Sequence, residues 1–195
     1  MGMPALDERR WTAREVRALI EEAPLATPRY ELVDGELLVT PGPGGWHQLA
    51  VGELLLALKA YVEEQGVGLA ITSPSDVELE ADRITQPDVY VVSEHEWDRM
   101  IAEGWPVREL LLAVEVLSPS SSRYDRVVKR PLYTSHVPEY WIVDVDARVI
   151  ERWRRGESRP EVLSQQLTWH PDGAAQALDL DIARFFSRVM REPPR

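Results

Sequence analysis

Residues 109–117 read Glu-Leu-Leu-Leu-Ala-Val-Glu-Val-Leu, an almost wholly apolar run that carries an acid, Glu115, near its end. Such a run predicts a β-strand covered on both faces, and therefore a strand in the middle of a sheet. A carboxylate in such a strand loses its hydration, which is costly unless the group is paired, hydrogen-bonded or bound to a metal ion. The run thus predicts the centre of the fold and a buried acid with a role.

A second acid stands in a similar run upstream. Residues 86–92 read Gln-Pro-Asp-Val-Tyr-Val-Val, so that Asp88 lies beside a β-branched, apolar stretch. Side chains alternate between the two faces of a strand, so neighbouring strands can bring Asp88 and Glu115 together. Taken alone, Asp88 is explained equally well as a turn residue after Pro87.

Composition narrows what these acids could bind. The chain has no cysteine, so a metal ion must take carboxylate, carbonyl or imidazole ligands, which favours Mg²⁺ or Mn²⁺. We expect Asp88 and Glu115 to hold the ion, with the backbone carbonyl of Leu117 as a further ligand, because magnesium usually keeps only a few protein oxygens. Lys129 follows on the next element, where its ammonium could orient an attacking water or offset negative charge.

The length of 195 residues and the net charge of -11 limit the possible classes of protein. We expect residues 1–29 to form an N-terminal helical extension and residues 30–195 a single domain. The sequence has no apolar run of about 20 residues and no signal pattern at its start, so we predict a cytoplasmic protein without a membrane segment. The acidic balance argues against strong nonspecific binding to nucleic acid, although arginine-rich segments at 123–130 and 148–159 leave room for a local basic groove.

Capping and turn signals predict the other elements. A capping box at Thr12–Glu15 begins a helix that ends near Glu22, before Pro24. Asp34-Gly35 is typical of a tight hairpin turn. The same signals predict helices over 46–65, 93–103 and 123–135 and a last helix that ends at Met190. Pro131 either kinks the helix over 123–135 or lies in its first turn. Further strands are predicted over 68–80, 85–92, 140–145 and 148–154.

Several motifs, in this order, resemble the Uma-two group of restriction-type endonucleases in the PD-(D/E)XK nuclease superfamily. They are Pro87-Asp88, residues 115–120 (Glu-Val-Leu-Ser-Pro-Ser), Asp125 with Lys129 and Tyr133, and residues 137–144 (Val-Pro-Glu-Tyr-Trp-Ile-Val-Asp). The resemblance extends from about residue 30 to residue 186. It implies an α/β, restriction-endonuclease-like core with a central mixed β-sheet flanked by helices, here with an N-terminal helix and β-hairpins. It also implies Mg²⁺- or Mn²⁺-dependent cleavage of DNA.

Members of the superfamily typically carry a Glu-any-Lys tripeptide on the third core strand, and this chain departs from that pattern. Leu117 occupies the lysine position, and the resemblance makes Lys129 the matching residue. The catalytic candidates are therefore Asp88, Glu115 and Lys129, with no cofactor other than the metal. A buried structural ion pair between Glu115 and Lys129 is the main alternative.

Four residues form a second tier of candidates: Glu31, His47, Asp125 and Tyr133. The resemblance places the motifs around Glu31 and His47 near the active cleft. Asp125 could be no more than the partner of Lys129 one helical turn away, and Tyr133 could be a core aromatic residue.

We therefore predict a metal-dependent endonuclease acting on DNA, in a homo-oligomer such as a dimer. The alternative is a nuclease-fold protein that binds nucleic acid or a protein partner without cutting. Other enzyme classes find no support, because the sequence has no glycine-rich phosphate loop, no cysteine nucleophile and no convincing Ser-His-Asp arrangement.

Overall fold

The computed structural model describes residues 10–23, 28–40, 42, 44–118 and 122–193. The strands are β1 (Arg29–Val33), β2 (Glu36–Thr40), β3 (Gly68–Thr72), β4 (Val77–Glu80), β5 (Arg83–Thr85), β6 (Val89–Ser93), β7 (Leu112–Val116), β8 (Glu139–Asp144), β9 (Val149–Arg154), β10 (Glu161–Leu163), β11 (Gln166–Trp169) and β12 (Leu178–Asp181). The helices are α1 (Ala13–Glu22), α2 (Gly45–Gln65), α3 (Glu94–Glu103), α4 (Ser122–Tyr124), α5 (Arg130–His136) and α6 (Ile182–Val189), with a π-helical turn over Asp125–Lys129 between α4 and α5.

A six-stranded mixed sheet in the order β10-β9-β8-β7-β6-β3 forms the centre of the molecule. Strand β7 lies inside this sheet, antiparallel to β6 and parallel to β8, and all five of its residues are buried. The prediction of a central strand covered on both faces is therefore confirmed, although the strand begins at Leu112 and not at residue 109.

Alternating residues of β7 supply the two cores that cover the sheet. Val114 and Val116 belong to a cluster with α2 and α6, represented by Leu54 and Phe186. Ala113 belongs to the opposite cluster, which includes residues of α3 and α5. Helices therefore flank both faces, as the predicted α/β class requires.

Two predicted strands are each divided in the structure. The stretch 68–80 forms β3 and β4, and the stretch 85–92 forms β5 and β6. Strands β3 and β6 pair in the central sheet, whereas β4 and β5 join a smaller sheet in the order β2-β1-β5-β4. The breaks contain Pro74 and Pro87, which lack the amide hydrogen that a continuous ladder needs. The prediction of two unbroken strands is wrong for this reason.

The N-terminal part follows its local signals. Thr12 caps α1 through the predicted capping box, and Ala13 and Val16 pack against Leu32 and Ile84 of the smaller sheet. The predicted hairpin is formed by β1 and β2. Pro24, the predicted stop of α1, and Pro119-Ser120 of the motif after β7 lie outside the described residues.

The connection from β7 to β8 carries Lys129. It runs through α4, the π-helical turn and α5, and returns to a strand parallel to β7. Pro131 lies at the start of α5, and the N–H of Arg130 donates to the carbonyl of Asp125, five residues earlier. The chain therefore accommodates the proline by a wider turn. Within the described residues, none of the helices combines the length and apolar character needed to cross a membrane.

Candidate active site

Lys129 lies at the centre of a buried group of acids. Its Nζ is 2.9 Å from Glu31 Oε1, 3.1 Å from Glu115 Oε1 and 3.2 Å from Asp125 Oδ1. The contact between Lys129 and Asp125 is an ion pair but not a hydrogen bond. Both carboxylate oxygens of Asp125 lack a hydrogen-bond partner among the described residues. The site thus joins β1, β7 and the π-helical turn through one ammonium group.

Glu115 has a second partner on the same oxygen. The hydroxyl of Tyr133 donates to Oε1 at 3.2 Å, and Glu115 itself is only 3% exposed. Within the described part of the chain, the other oxygen, Oε2, makes no hydrogen bond. Tyr133 follows Lys129 by four residues, so the same helical connection delivers both groups to Glu115.

Asp88 holds a separate set of partners. Its Oδ2 accepts from the backbone N–H of Val116 at 2.9 Å and contacts His47 Nε2 at 3.0 Å. Its Oδ1 accepts from Arg29 Nη1 at 2.8 Å. Because Asp88 comes just before β6, its carboxylate reaches α2 and β1 as well as the end of β7. A carboxylate accepts only, so His47 donates through Nε2.

The pKa values of Glu115 and Asp88 shift in opposite directions. Burial raises the pKa of Glu115 well above its usual range, and the neighbouring carboxylates of Asp125 and Asp88 add to this, while Lys129 opposes it. Burial also acts on Asp88, but the His47 hydrogen bond, Arg29 and the Val116 N–H outweigh it and lower the pKa of Asp88. Asp88 is therefore the firmly ionised acid, and Glu115 is the acid whose charge needs a compensating cation.

The acids also act on the basic and phenolic groups. Burial opposes the charge of Lys129, but Glu115, Glu31 and Asp125 outweigh burial and hold the pKa of Lys129 well above its usual value. Burial and Glu115 raise the pKa of Tyr133. At neutral pH Lys129 is consequently a fixed positive charge, and Tyr133 is a fixed hydrogen-bond donor.

Two further residues complete the site without having been predicted from the sequence. Arg29 pairs with Asp88, and the ring of Tyr124 lies 5.9 Å from Lys129 Nζ. The chain has 22 lysines and arginines, and nothing in the local pattern around Arg29 distinguishes it. A buried Asp88 implies a cation, but only the fold identifies which one.

Leu117 directly follows β7, and its N–H donates to the carbonyl of Val143. In the described residues, no three acidic or histidine side chains stand together in an arrangement ready to hold a metal ion. The chemistry of the donors nevertheless suits a hard cation. When ionised, Glu31, Asp88, Glu115 and Asp125 outnumber the charges of Lys129 and Arg29 by two, and a divalent ion would balance that excess.

Four of the eight arginines in the two basic segments form ion pairs with acids. Arg126 pairs with Asp144 and Glu151, and Arg152 pairs with Glu139. Arg148 and Arg154 also form ion pairs, with Glu192 and with Glu157 and Glu161 respectively. These segments therefore offer less free positive charge than their composition suggests.

The mixed sheet, its helical layers and the acid-bearing β7 followed by a helical crossover define a protein of the restriction-endonuclease-like fold class. The sequence model of the Uma2 family, described as "Putative restriction endonuclease", matches residues 18–183. The chain belongs to the Uma2 family, which confirms the resemblance in its motifs.

A crystal structure of "a putative nuclease belonging to DUF820" from Anabaena variabilis has a similar fold, with a TM-score of 0.70 and 23% sequence identity. The similarity covers 87% of this chain and 96% of that one. No curated protein matches the chain.

Proposed function

We propose that this protein is a divalent-metal-dependent endonuclease that hydrolyses phosphodiester bonds of DNA. The observation that carries the proposal is the buried group in which Lys129 Nζ lies within 3.2 Å of Glu31, Glu115 and Asp125, close to the ionised Asp88. Membership of the Uma2 family and the nuclease title of the structural neighbour support it.

Asp88, Glu115 and the carbonyl of Leu117 would hold Mg²⁺ or Mn²⁺. When bound, such an ion polarises a phosphoryl oxygen and lowers the pKa of a coordinated water. Glu115 has one oxygen without a hydrogen bond in the described part of the chain, and its raised pKa means that a nearby cation would favour its ionised form. Oδ2 of Asp88 is oriented by Val116 and His47.

Lys129 acts through its charge. Since the neighbouring acids hold the pKa of Lys129 well above its usual value, the ammonium keeps its protons at neutral pH and does not serve as a general base. It orients a water or a phosphate oxygen by donating a hydrogen bond and offsets negative charge that develops there. Tyr133 fixes Glu115, and Glu31 and Asp125 fix Lys129.

Cleavage assays test the proposal directly. A panel of plasmid and labelled oligonucleotide DNA is incubated with Mg²⁺ or Mn²⁺ and the wild type, Glu115→Gln or Lys129→Ala. Matched controls are Glu109→Gln and Lys59→Ala, because both residues are exposed. We expect both site variants to lose at least about 100-fold in rate and the controls to match the wild type. Equal activity in all five proteins contradicts the proposal.

The alternative, a nuclease-fold protein that binds without cutting, is favoured by one observation: Lys129 Nζ already lies among the acids where a cation would bind. Calorimetric titration with Mn²⁺ distinguishes the two functions. A saturable site that Glu115→Gln abolishes supports the nuclease, whereas the lack of any saturable site in the wild type supports the alternative.

A further inference from the structure

A cavity of about 490 Å³ lies beside the candidate active site, within the size range of pockets that hold small ligands, about 300–1000 Å³. Arg29 lines the cavity, and the same guanidinium donates to Asp88 Oδ1. Gln86 also lines it, and its backbone N–H donates to Glu31 Oε1 at 2.7 Å. Arg29 and Gln86 therefore contact both the cavity and the acids of the site.

Two side chains that line the cavity carry acceptors that lack a donor. Gln86 is 3% exposed, its Nε2 donates to Asp76 Oδ1 at 2.8 Å, and its Oε1 is buried without a hydrogen-bond partner among the described residues. In the same part of the chain, Asp76 Oδ2 makes no hydrogen bond. Buried polar atoms are usually paired, so Gln86 Oε1 suits a ligand that brings an N–H donor. Asp76 is only half-buried, and its Oδ2 offers a second acceptor to such a ligand.

Aromatic rings line the same cavity. Tyr30 and Trp105 both contribute to it, and Trp105 is 53% exposed. An exposed tryptophan at the mouth of a pocket offers a face on which a flat ring can stack. The charge of Arg29 is already engaged by Asp88, so these lining groups favour an uncharged ligand over a phosphate.

We propose that this cavity holds one unstacked nucleobase of the strand whose phosphate lies at the candidate active site. The ring stacks on Trp105, and its exocyclic amino group donates to Asp76 and, after a small movement of the amide, to Gln86. This inference rests on the proposed function. It makes unpaired DNA the preferred substrate, because a base inside a duplex cannot enter such a pocket.

The proposal also sets an order of preference among the bases. Adenine, cytosine and guanine each present an exocyclic amino group, whereas thymine presents two carbonyl acceptors and a single ring N–H. A wall of acceptors therefore favours adenine, cytosine and guanine and disfavours thymine. Ring stacking alone would not separate cytosine from thymine in this way, because both are single-ring bases with similar flat faces.

Saturation-transfer NMR with uncharged nucleosides tests the pocket without metal or cleavage. We expect deoxyadenosine and deoxycytidine to bind wild-type protein at least about fivefold more tightly than thymidine. Trp105→Ala should weaken binding about tenfold, and Trp105→Phe should restore most of it. Asp76→Ala should remove the preference against thymidine.

Ile101→Ala and Asp98→Asn, which change exposed residues on α3, are the controls. Because Trp105 is exposed, its variants keep the test valid if Asp76→Ala fails to fold.

Cleavage kinetics separate the two proposals. In an active wild type, Trp105→Ala should raise the KM for single-stranded DNA about tenfold and leave kcat within about twofold. Nucleoside binding without cleavage under any metal would contradict the nuclease and retain the pocket. Two outcomes overturn the pocket and leave the nuclease. One is cleavage by a wild type that binds no nucleoside, and the other is a Trp105→Ala variant whose nucleoside binding and KM equal those of the wild type. Loss of both overturns both.

Discussion

Lys129 is the single residue that holds three acids from three parts of the chain together. Glu31 comes from β1, Glu115 from β7 and Asp125 from the π-helical turn, and all four side chains are buried. The sequence predicted that Lys129 approaches Glu115, because a buried acid needs a partner. The spacing of four residues also suggested that Asp125 pairs with Lys129. The sequence could not predict that Glu31 shares the same ammonium, since that depends on how two sheets meet.

Replacing Lys129 should destabilise the protein strongly. In Lys129→Met, the three carboxylates remain buried without their cation, and we expect the free energy of unfolding to fall by about 3–5 kcal/mol. Urea denaturation measures this change. The matched control is Lys59→Met, because the Lys59 side chain is 57% exposed and pairs only with Glu63, and it should shift stability by less than about 0.5 kcal/mol. Equal effects in the two variants would show that Lys129 has no central role.

Ionisation of Glu115 should lower the free energy of unfolding. Burial raises its pKa in the folded state above the unfolded value, so the folded protein holds this proton more tightly and loses stability as pH rises from about 4.5 towards the raised pKa. Glu115→Gln removes that loss. We expect the variant to melt on the order of 2–4 °C higher than the wild type at pH 8, with a smaller difference at pH 4.5. Scanning calorimetry at both pH values, with Glu109→Gln as the control, checks this, and a difference that shrinks as pH rises contradicts it.

At the scale of elements, local signals predicted most helices and hairpins, and tertiary pairing decided the rest. The capping box at Thr12 and the left-handed Gly66 mark helix ends that the sequence identifies. The division of 68–80 between two sheets was not predictable, because β4 reads as a continuation of β3 until its partner β5 is known. Strands β10 and β11 were missed because each is only three or four residues long.

Gly68 is the glycine on which the pairing of β3 and β6 depends. It has φ +156°, and a Cβ at this position would lie 1.9 Å from the carbonyl oxygen of Val92. We expect Gly68→Ala to cost at least about 2 kcal/mol. Gly52, inside α2, is the matched control, because no atom lies within 4 Å of its added Cβ. Gly52→Ala should stabilise the protein by about 0.5–1 kcal/mol. Chemical denaturation of both variants tests these opposite signs, and a shift of the same sign in both refutes the expectation.

At the scale of the whole molecule, the net charge is acidic, and half of the arginines in the two basic segments pair with acids. The net charge is -11, and Arg126, Arg148, Arg152 and Arg154 all pair with acids. Composition alone suggested a basic groove at these segments, but the sequence does not show which arginine meets which carboxylate. Binding to DNA should therefore depend on a few local contacts and not on a broad positive surface.

The dependence of DNA binding on salt should be shallow. Each neutralised phosphate contributes roughly -0.7 to -0.9 to the slope of log K against log salt concentration. Because the net charge is -11 and half of the arginines in the basic segments pair with acids, we expect a slope of about -3 or shallower. Fluorescence anisotropy at several KCl concentrations, with EDTA to prevent cleavage, measures it. A slope near -6 would reveal a basic surface that the paired arginines do not provide.

The π-helical turn at Asp125–Lys129 has a consequence for how the chain can change in length. This wider turn contains more residues than an α-helical one, and it places Asp125 and Lys129 side by side in the site. Deleting one residue, such as the exposed Val127, would allow an ordinary α-helix to form there and would rotate Lys129 away from Glu31 and Glu115. The site is therefore encoded in residue count as well as in residue identity, and a single-codon deletion could dismantle it while every acid and lysine stayed in the sequence.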